Sequence, residues 1–521
     1  MRATALVLAL AALVLTGVAG ARTIEGTSGR DRLVGTEGPD AIFGREGGDR
    51  ILGLGGSDLV HGGPGRDRLE GGPGNDRIAA QYDGARDRVL CGGGLDVVSA
   101  DLLDQVAADC ELVSRRLSRD PYTNADSQHE TEVEPDSLTI GRTTVATFQV
   151  GRRFDGAATN IGFSVSNDDG RTWRSGLLPG LTRASVPAGP HERSSDPVVA
   201  FDSVSRVWLI NTLAIDGQIT RLTVSRSTDG FTWSAPVTAI EDTAPGGITF
   251  DKNWLACDNG TSSPQRGRCY LVYTDTLRND RLAAVTSTDG GATWSLPVGV
   301  PVTEAVGAFP AIRPSGELVV AFLWSGRRIG ASVSADGGLT FGAPTVVADI
   351  QVRSLRGLRF FPLPSAEADP AGRVWVTWHD CRFSSGCATN SVVVATSTDG
   401  LSWTAPVQVT SGRNAFLPAI GVHPTSGRVA LLYYVVGPVG IDAELVESRA
   451  GAPTRQADFL PPRRLSAQTM RVEWLPNTVS GRMLADYVSV HYAGSRPLAV
   501  WALASEPAGS SLRQAIYATR G

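Results

Sequence analysis

Lysine is almost absent from this sequence. Lys252 is the single lysine among 48 basic residues, and the formal net charge is −5. Because there is no basic excess, there is no electrostatic reason to expect a nucleic-acid partner. We attribute the scarcity of lysine to the base composition of a GC-rich genome and assign no physical role to it.

Long apolar runs are also missing after the first residues. Arg2 precedes an apolar stretch over residues 3–18, which ends in Ala19-Gly20-Ala21. A basic start, a short apolar core and small residues at its end are typical of a secretory signal peptide, here 1–21. No later segment predicts a membrane span. We therefore expect a secreted, monomeric protein without a transmembrane segment.

The sequence lacks the short motifs of several enzyme classes and of common metal sites. It contains no phosphate-binding loop, no HExxH zinc motif, no ordered Ser-His-Asp set and no CxxC pair. In an exported protein, six cysteines in three close pairs are best interpreted as disulfides rather than as a metal site. The predicted pairs are Cys91 with Cys110, Cys257 with Cys269, and Cys381 with Cys387.

Glycine is abundant, and over residues 26–79 it recurs every nine residues. Each unit also carries an aspartate, followed two positions later by leucine, isoleucine or valine. A flexible linker, which is the alternative, does not need an aliphatic residue in register six times. The six aspartates are Asp31, Asp40, Asp49, Asp58, Asp67 and Asp76.

The best unit, residues 71–78, resembles the RTX (haemolysin-type) nonapeptide of parallel β-rolls. The resemblance implies calcium, with glycine turns that direct carbonyl oxygens and aspartates that supply carboxylates. Because two units make one coil of such a roll, Asp31, Asp49 and Asp67 would line one edge and the other three the opposite edge. We expect a β-roll over 22–115 that Cys91–Cys110 closes and that is unfolded without metal. A linker over 116–130 follows it.

A second repeat begins near Thr131. Residues 166–173 read Ser-Asn-Asp-Asp-Gly-Arg-Thr-Trp, and they resemble the Asp box, or BNR repeat, of sialidases and many unrelated propellers. The motif is a hairpin turn in which aspartate accepts amide hydrogens and glycine supplies the positive φ. Its five copies predict a sialidase-like β-propeller over 131–521, in an all-β protein. The other copies are 227–233, 287–294, 334–341 and 397–403.

Seven modules of this region open on similar residues, which favours seven blades, with six as the alternative. Because the seventh module ends early, we expect residues near 120–129 to supply its outer strand. The openings are Glu134-Pro135, Asp196-Pro197, Asp251-Lys252, Phe309-Pro310, Leu363-Pro364, Leu417-Pro418 and Asp486-Tyr487.

Four consecutive openings carry carboxylates, on the face opposite the Asp boxes. This arrangement favours a site for a cation or a polar ligand; the alternative is that each carboxylate caps backbone amides of a neighbouring blade. Carboxylates that lie so close together repel one another unless one is protonated, pairs with an arginine or binds a cation. Arg193 and Lys252 are the basic residues nearest to them in sequence. The four carboxylates are Glu134, Asp196, Asp251 and Asp486.

The likeness to sialidases implies an alternative function as a glycosidase. Those enzymes grip the substrate with three arginines and use a tyrosine nucleophile and an acid/base carboxylate. The early Arg-Ile-Pro motif of those enzymes is missing here, and a shared fold is weak evidence of a shared activity, so we assign no catalytic residue. The residues of suitable type are Arg193, Arg359, Arg413, Glu134, Asp486 and Tyr487.

A loop that the Cys381–Cys387 disulfide would close adds two candidates for the ligand face, Asp380 and Arg382. The bridge would hold both side chains in place, unless they simply pair with each other. As a whole, the chain resembles secreted, calcium-repeat-bearing, sialidase-like proteins of actinobacterial type. We expect an extracellular calcium-binding protein whose propeller presents a face to a glycan or protein ligand.

Overall fold

The computed structural model describes residues 21–217, 219–242 and 249–521, so the predicted signal peptide lies outside it except for Ala21. Within these ranges no helix is long and apolar enough to cross a membrane. The helical segments are short 3-10 turns at Thr276–Arg278, Ser385–Cys387, Gln456–Asp458 and Val472–Trp474.

The N-terminal part is a β-solenoid of about five turns. Its odd-numbered strands form one parallel sheet and its even-numbered strands a second one. The strands are Thr23–Glu25 (β1), Arg32–Val34 (β2), Ala41–Phe43 (β3), Arg50–Leu52 (β4), Leu59–His61 (β5), Arg68–Pro73 (β6), Arg77–Ala80 (β7), Arg88–Gly93 (β8), Val97–Ala100 (β9), Gln105–Val106 (β10) and Leu112–Arg116 (β11).

The solenoid has a thin aliphatic core. Ile42 pairs with Val60, and Ile51 pairs with Leu69 in the second sheet, so that fully buried side chains stack coil upon coil. Equivalent residues are 18 apart in the regular part, but an insertion after Ala79 increases the separation to 20. Such a core is too small to order the polar turns at the edges by itself.

The rest of the chain is antiparallel. Its strands are Glu132–Ile140 (β12), Thr143–Arg152 (β13), Ala158–Ser166 (β14), Arg174–Leu177 (β15), Arg193–Asp202 (β16), Val207–Asp216 (β17), Ile219–Ser227 (β18), Val237–Asp242 (β19), Phe250–Cys257 (β20), Cys269–Asp275 (β21), Arg281–Ser287 (β22), Val298–Gly299 (β23), Ala305–Ile312 (β24), Leu318–Trp324 (β25), Arg328–Ser334 (β26), Thr345–Asp349 (β27), Ser365–Ala368 (β28), Val374–Asp380 (β29), Ser391–Ser397 (β30), Val407–Gln408 (β31), Asn414–Val422 (β32), Val429–Gly437 (β33), Gly440–Glu447 (β34), Arg463–Arg464 (β35), Asn477–Thr478 (β36), Gly481–Arg482 (β37), Ser489–Ala493 (β38), Arg496–Ala504 (β39) and Gln514–Arg520 (β40). Four separate four-stranded sheets comprise β20–β23, β24–β27, β28–β31 and β32–β35.

The predicted fold class, an RTX β-roll joined to a separate propeller of seven or six blades, is wrong. The protein is all-β and an RTX β-roll is consistent with its N-terminus, but the architecture is the solenoid of about five turns. The later strands do not divide into seven separate sheets: β12 to β19 lie in one eight-stranded sheet, and β38–β40 continue a sheet of the solenoid. Sequence repeats predict local hairpins, whereas the strand that pairs with the edge of a sheet depends on the tertiary structure.

The seam between the two regions is a pair of strands, β11 and β40. They are antiparallel, with Ser114 opposite Thr519 and 2.6 Å between their hydroxyl oxygens. β11, and not residues 120–129, is therefore the outer partner of β40. Arg77 also donates to the carbonyl of Ala467 at 2.9 Å, so the solenoid is fixed to the antiparallel region along its side.

The bonded cysteine pairs are the three that the sequence predicts. Cys91–Cys110 connects β8 to the chain just before β11, at the closing end of the solenoid. Cys257–Cys269 joins the paired strands β20 and β21, and Cys381–Cys387 closes the loop after β29. The described residues contain no free cysteine.

Candidate functional site

Two ladders of acidic side chains follow opposite edges of the solenoid. In each ladder, one carboxylate oxygen accepts the backbone amide of the acidic residue one coil earlier, as Asp49 Oδ1 does from Asp31 at 2.8 Å. One ladder contains Asp31, Asp49, Asp67, Asp87 and Asp104. The other contains Asp40, Asp58, Asp76, Asp96 and Glu111.

The second oxygen of most ladder aspartates is buried and has no hydrogen-bond partner. A buried carboxylate oxygen without a partner is costly and indicates a missing cation or donor. In the central coils no side chain of the described protein fills this role. The unpartnered oxygens are Oδ2 of Asp49, Asp58, Asp67, Asp76, Asp87 and Asp96.

The first aspartate of each ladder differs from those that follow. Asp31 Oδ2 accepts the amide of Thr27 at 2.6 Å and its hydroxyl at 2.8 Å. Asp40 Oδ2 accepts from Thr36 in the same way. The predicted calcium residues Asp31 and Asp40 are thus satisfied by the protein, whereas Asp87 and Asp96, where the sequence repeat is weak, present the unpartnered oxygens.

Glycine keeps the space in front of these oxygens open. A Cβ on Gly44 would lie 2.6 Å from Asp49 Oδ2 and would overlap the carbonyl oxygen of Gly62. Carboxylate and carbonyl oxygens therefore border the same space, and both are hard ligands that calcium prefers. The residues present fit calcium.

The protonation of the ladders reflects the same unpaired charge. Burial, together with the charge of the preceding ladder aspartate, raises the pKa of Asp58 and Asp67 to about 6, although the hydrogen bond from the backbone amide of that aspartate lowers it. Burial and neighbouring carboxylates likewise raise the pKa of Asp76 to about 7 and that of Asp87 to about 8. A bound cation would reverse these shifts, because it stabilises the charged form.

In the antiparallel region, the structure brings the four predicted rim carboxylates together around Lys252. Lys252 Nζ lies 2.6 Å from Asp486 Oδ2, 3.7 Å from Asp196 and 3.9 Å from both Glu134 and Asp251. We call these five residues the ionic centre. Of the two basic residues nearest in sequence, Lys252 lies among these carboxylates, whereas Arg193 binds Asp155.

Arg359 adds a second positive charge to the ionic centre, since its guanidinium binds Asp486 through two nitrogens, at 3.1 and 2.5 Å. Although burial opposes it, Lys252 and Arg359 hold the pKa of Asp486 below its ordinary value. Burial, followed by the charge of Asp196, raises the pKa of Glu134. The centre is therefore a network in which two cations and the raised pKa of Glu134 offset part of the charge of four carboxylates.

A recurring backbone feature explains why these side chains converge. Five module-opening strands contain a two-residue bulge whose first residue has positive φ, which is rare for residues other than glycine. The bulges place Lys252, rather than the predicted Asp251, in register with Glu134 and Asp196. In the next module, Gly307 rather than the predicted Phe309 occupies the equivalent position. The first residues are Glu134 (φ 54), Asp196 (φ 46), Lys252 (φ 48), Gly307 (φ 69) and Leu417 (φ 50).

The ionic centre leaves little room for a ligand. The adjoining cavity measures about 30 Å³ and is walled by Trp254, Phe309, Leu363 and Leu417. About one water-sized molecule fits such a volume, whereas ligand pockets are at least ten times larger. The acidic and apolar openings do meet here, but as a packed core.

The residues of the sialidase-like alternative are engaged separately. Arg193 binds Asp155 at 2.8 Å, Arg359 binds Asp486, and Arg413 binds Glu444. The Tyr487 hydroxyl donates to the carbonyl of Pro197 at 3.1 Å. Because the three arginines bind three different carboxylates of the protein, they do not form one binding site for a substrate carboxylate.

Asp380 and Arg382, in the disulfide-closed loop, pair with each other. Arg382 Nη2 lies 2.7 Å from Asp380 Oδ2, and the backbone amide of Arg382 donates to Asp380 Oδ1 at 2.9 Å. Trp378 Nε1 donates to the same carboxylate at 3.1 Å. This fully buried carboxylate has no unused acceptor toward a ligand.

The Asp boxes are turns at the end of their sheets opposite the ionic centre, and the carboxylate of each box aspartate accepts hydrogen bonds from its own turn. In the first box, Asp168 Oδ1 accepts the amides of Arg171 and Thr172, and Oδ2 accepts the Thr172 hydroxyl at 2.7 Å. The strand register pairs Ser166 with Thr144, at the end of the sheet away from Glu132. The boxes thus stabilise hairpins and offer no free ligand group.

A cleft of about 630 Å³ lies between the solenoid and the hairpin of β39 and β40. Arg45 in this cleft pairs with Glu25 at 2.7 Å, whereas Arg513 has no ion pair among the described residues. No local sequence pattern indicates the cleft, because its two walls are more than four hundred residues apart in the chain. Its polar lining includes Arg45, His61, Gln81, Asp83, Glu506 and Arg513.

Two families of repeats match the chain. Residues 25–60 and 43–78 match the RTX calcium-binding nonapeptide repeat, and residues 141–365 match the BNR repeat-like domain. No curated protein sequence matches the chain.

Solved structures that match the chain include two sialidases and a polysaccharide lyase. A Hadza microbial sialidase is 18% identical with a TM-score of 0.42, over 59% of this chain and 64% of its own. The NanB sialidase of Streptococcus pneumoniae is 12% identical, with a TM-score of 0.39, over 77% of this chain and 70% of its own. A PL25 ulvan lyase is 11% identical, with a TM-score of 0.47, over 76% of this chain and 97% of its own. These values assign no activity. The chain thus carries RTX calcium-binding repeats followed by a BNR repeat-like domain.

Proposed function

We propose that the protein is a secreted calcium-binding protein that binds an extracellular glycan, and that calcium completes the fold of the solenoid. The observation that carries the calcium part is the row of six buried carboxylate oxygens without partners. When bound, calcium would neutralise the ladders, held by these oxygens and the glycine carbonyls next to them. Export is inferred from residues 1–21 alone.

The cleft beside the solenoid is the best-supported place for the glycan. Its volume of about 630 Å³ lies within the range of ordinary ligand pockets, unlike the 30 Å³ at the ionic centre. Arg513 offers an unpaired guanidinium, and Gln81 and Ser505 add groups that can hydrogen-bond to sugar hydroxyls. One wall belongs to the solenoid, so the cleft exists only when the solenoid is folded.

Binding of the protein to a panel of neutral and acidic oligosaccharides, in calcium and in chelator, tests this proposal. We expect retention of at least one oligosaccharide class in calcium and loss of that binding in chelator. Arg513→Ala should weaken binding by about tenfold, since a charged hydrogen bond contributes roughly 1.5–3 kcal/mol.

Arg327→Ala is the matched control, because Arg327 is exposed and lies outside the cleft. Equal binding by the Arg513→Ala variant and wild type would place the ligand elsewhere. Binding to a purified extracellular protein but to no oligosaccharide would replace the glycan proposal. Hydrolysis of a sialoside would support the glycosidase alternative, whose candidate residues Arg193, Arg359, Arg413 and Tyr487 are engaged within the described part of the protein.

A further inference from the structure

The insertion after Ala79 alters one coil of the solenoid in a specific way. In the regular coils, a turn glycine donates its amide to a backbone carbonyl of the next coil, as Gly47 does to Pro64 and Gly56 to Pro73. In the altered coil, Gly65 donates to the side chain of Asp83 instead, at 3.1 Å from Oδ2. A carboxylate thus stands where the other coils present a carbonyl.

Asp83 joins two ladder aspartates at this point. Asp67, Asp83 and Asp87 each offer a carboxylate oxygen, and these three oxygens lie within 4.8 Å of one another. Oxygens bound to one calcium ion are at most about 5 Å apart, twice the calcium–oxygen distance of 2.3–2.6 Å. Among the described residues, this is the one group of three such ligands that meets the spacing.

An independent observation indicates that these carboxylates bind a cation. Asp67 and Asp87 are 3% and 1% exposed, and each has one oxygen on a backbone amide and the other, Oδ2, buried without a partner. No arginine or lysine forms an ion pair with Asp67, Asp83 or Asp87 in the described part of the chain. Three carboxylates without a cation are not a stable resting arrangement.

We propose that Asp83 joins the ladder residues Asp67 and Asp87 in a calcium site that is distinct from the other ladder sites in having one more carboxylate and a higher affinity. The proposal rests on the calcium binding proposed above and adds a specific residue, Asp83, that belongs to no nonapeptide. Affinity of oxygen sites for calcium rises with the number of charged ligands. This site is therefore filled first, and it orders the solenoid from the end that carries Cys91–Cys110.

Calcium titration of the full-length protein by calorimetry tests the site, with Asp83→Asn as the variant. Asparagine keeps an oxygen for the amide of Gly65 but removes the charge. The wild type should show one site tighter than the rest, and the variant should bind there at least about tenfold more weakly, with the weaker sites unchanged. Asp109→Asn is the matched control, because Asp109 Oδ2 accepts the amide of Gly92 at 3.1 Å but lies outside the group of three.

Two outcomes would overturn different statements. A tight class that survives Asp83→Asn would refute the distinct site and leave calcium binding by the repeats intact. A wild type that binds no calcium would refute the proposed function itself. Loss of the tight class in both Asp83→Asn and Asp109→Asn would show a general charge effect and would also overturn the proposal.

Discussion

The two regions of this molecule use aspartate in turns with opposite results. In the Asp boxes, the backbone amide of Thr232 is the largest of several groups that lower the pKa of Asp229 to about 2. In the solenoid, burial raises the pKa of Asp76 to about 7, and one oxygen of this carboxylate has no partner. The antiparallel turns satisfy their charge with their own amides, while the solenoid turns lack the donors to do so.

Under the proposed function, this difference identifies the solenoid as the region that calcium stabilises. In the ionic centre of the antiparallel region, Lys252 and Arg359 supply cations of the protein itself to the converging carboxylates. The solenoid ladders have no such cation, and their core of stacked aliphatic side chains is thin. A folded state that concentrates unpaired carboxylates requires an external cation.

Removal of calcium should have the largest effect. We expect residues 26–98 of the full-length chain to lose amide protection in chelator, because the ladder carboxylates then repel one another without compensation. The saturated Asp-box turns in β20–β35 should keep theirs. Hydrogen exchange with mass spectrometry measures both regions in one sample.

Equal loss of protection in the two regions would break the comparison. Protection that is unchanged in residues 26–98 would show that the solenoid folds without metal. Magnesium serves as the control cation, because its shorter ligand distances and strict octahedral geometry do not suit these sites.

Replacement of Lys252 should have the next largest effect. Lys252→Met leaves buried carboxylates without their cation, and we expect a loss of about 3–5 kcal/mol in the free energy of unfolding. Urea denaturation followed by tryptophan fluorescence measures it, with exposed Arg327→Met as the control. The loss should be equal in calcium and in chelator, because this charge problem is solved within the protein; a calcium-dependent loss would contradict that view.

The same substitution in the two kinds of turn should have opposite effects in chelator. Asp229→Asn removes a charged acceptor and should destabilise the antiparallel region by about 1–2 kcal/mol with or without calcium. Asp58→Asn keeps an oxygen for the amide of Asp40 but removes a repelled charge. It should therefore stabilise the metal-free solenoid while raising the calcium concentration needed for folding several-fold.

Thermal unfolding in calcium and in chelator distinguishes the two variants. If Asp58→Asn destabilised the solenoid in both conditions, its carboxylate would serve as an ordinary hydrogen-bond acceptor and the contrast between the turns would disappear.

The smallest effect should be that of pH on the metal-free protein. The folded pKa of Asp76 is about 7 and that of Asp87 about 8, above the ordinary value of 3.8. The folded state therefore binds more protons than the unfolded state, so its stability is fully present below about pH 4 and is lost as pH rises through about 6–8. In chelator we expect more β-structure by circular dichroism at pH 5 than at pH 8.

Calcium affinity should fall over the same range as the pH decreases, because protons compete for the same oxygens. Asp229 stays ionised throughout, so the Asp-box region is the internal reference. A metal-free solenoid that becomes more stable at pH 8 would contradict the raised pKa values.

Much of the chemistry was predictable because it is local. The nine-residue period fixes which aspartates share an edge, since two units make one coil, and the close cysteine pairs are near enough in sequence to be bonded. The Asp boxes predict hairpins because all of their residues lie within one turn of the chain. The site at Asp83 was not predictable, because Asp83 lies in an insertion that interrupts the nine-residue period.

The ionic centre shows what remote contacts add. The sequence shows that Glu134, Asp196 and Asp486 open their modules, but the register of Lys252 depends on a bulge that moves it by one position relative to Asp251. That shift decides which side chain lies among the carboxylates.

The sequence by itself determined the all-β character, the calcium-type repeats, the hairpin turns and the cysteine pairs, because each depends on residues that are neighbours in the chain. Only the tertiary structure decided that β11 pairs with β40, that the later strands do not form seven separate sheets, and that a cleft lies beside the solenoid. The physical reason is that strand edges and buried charges find their partners through space, over separations that no local pattern records.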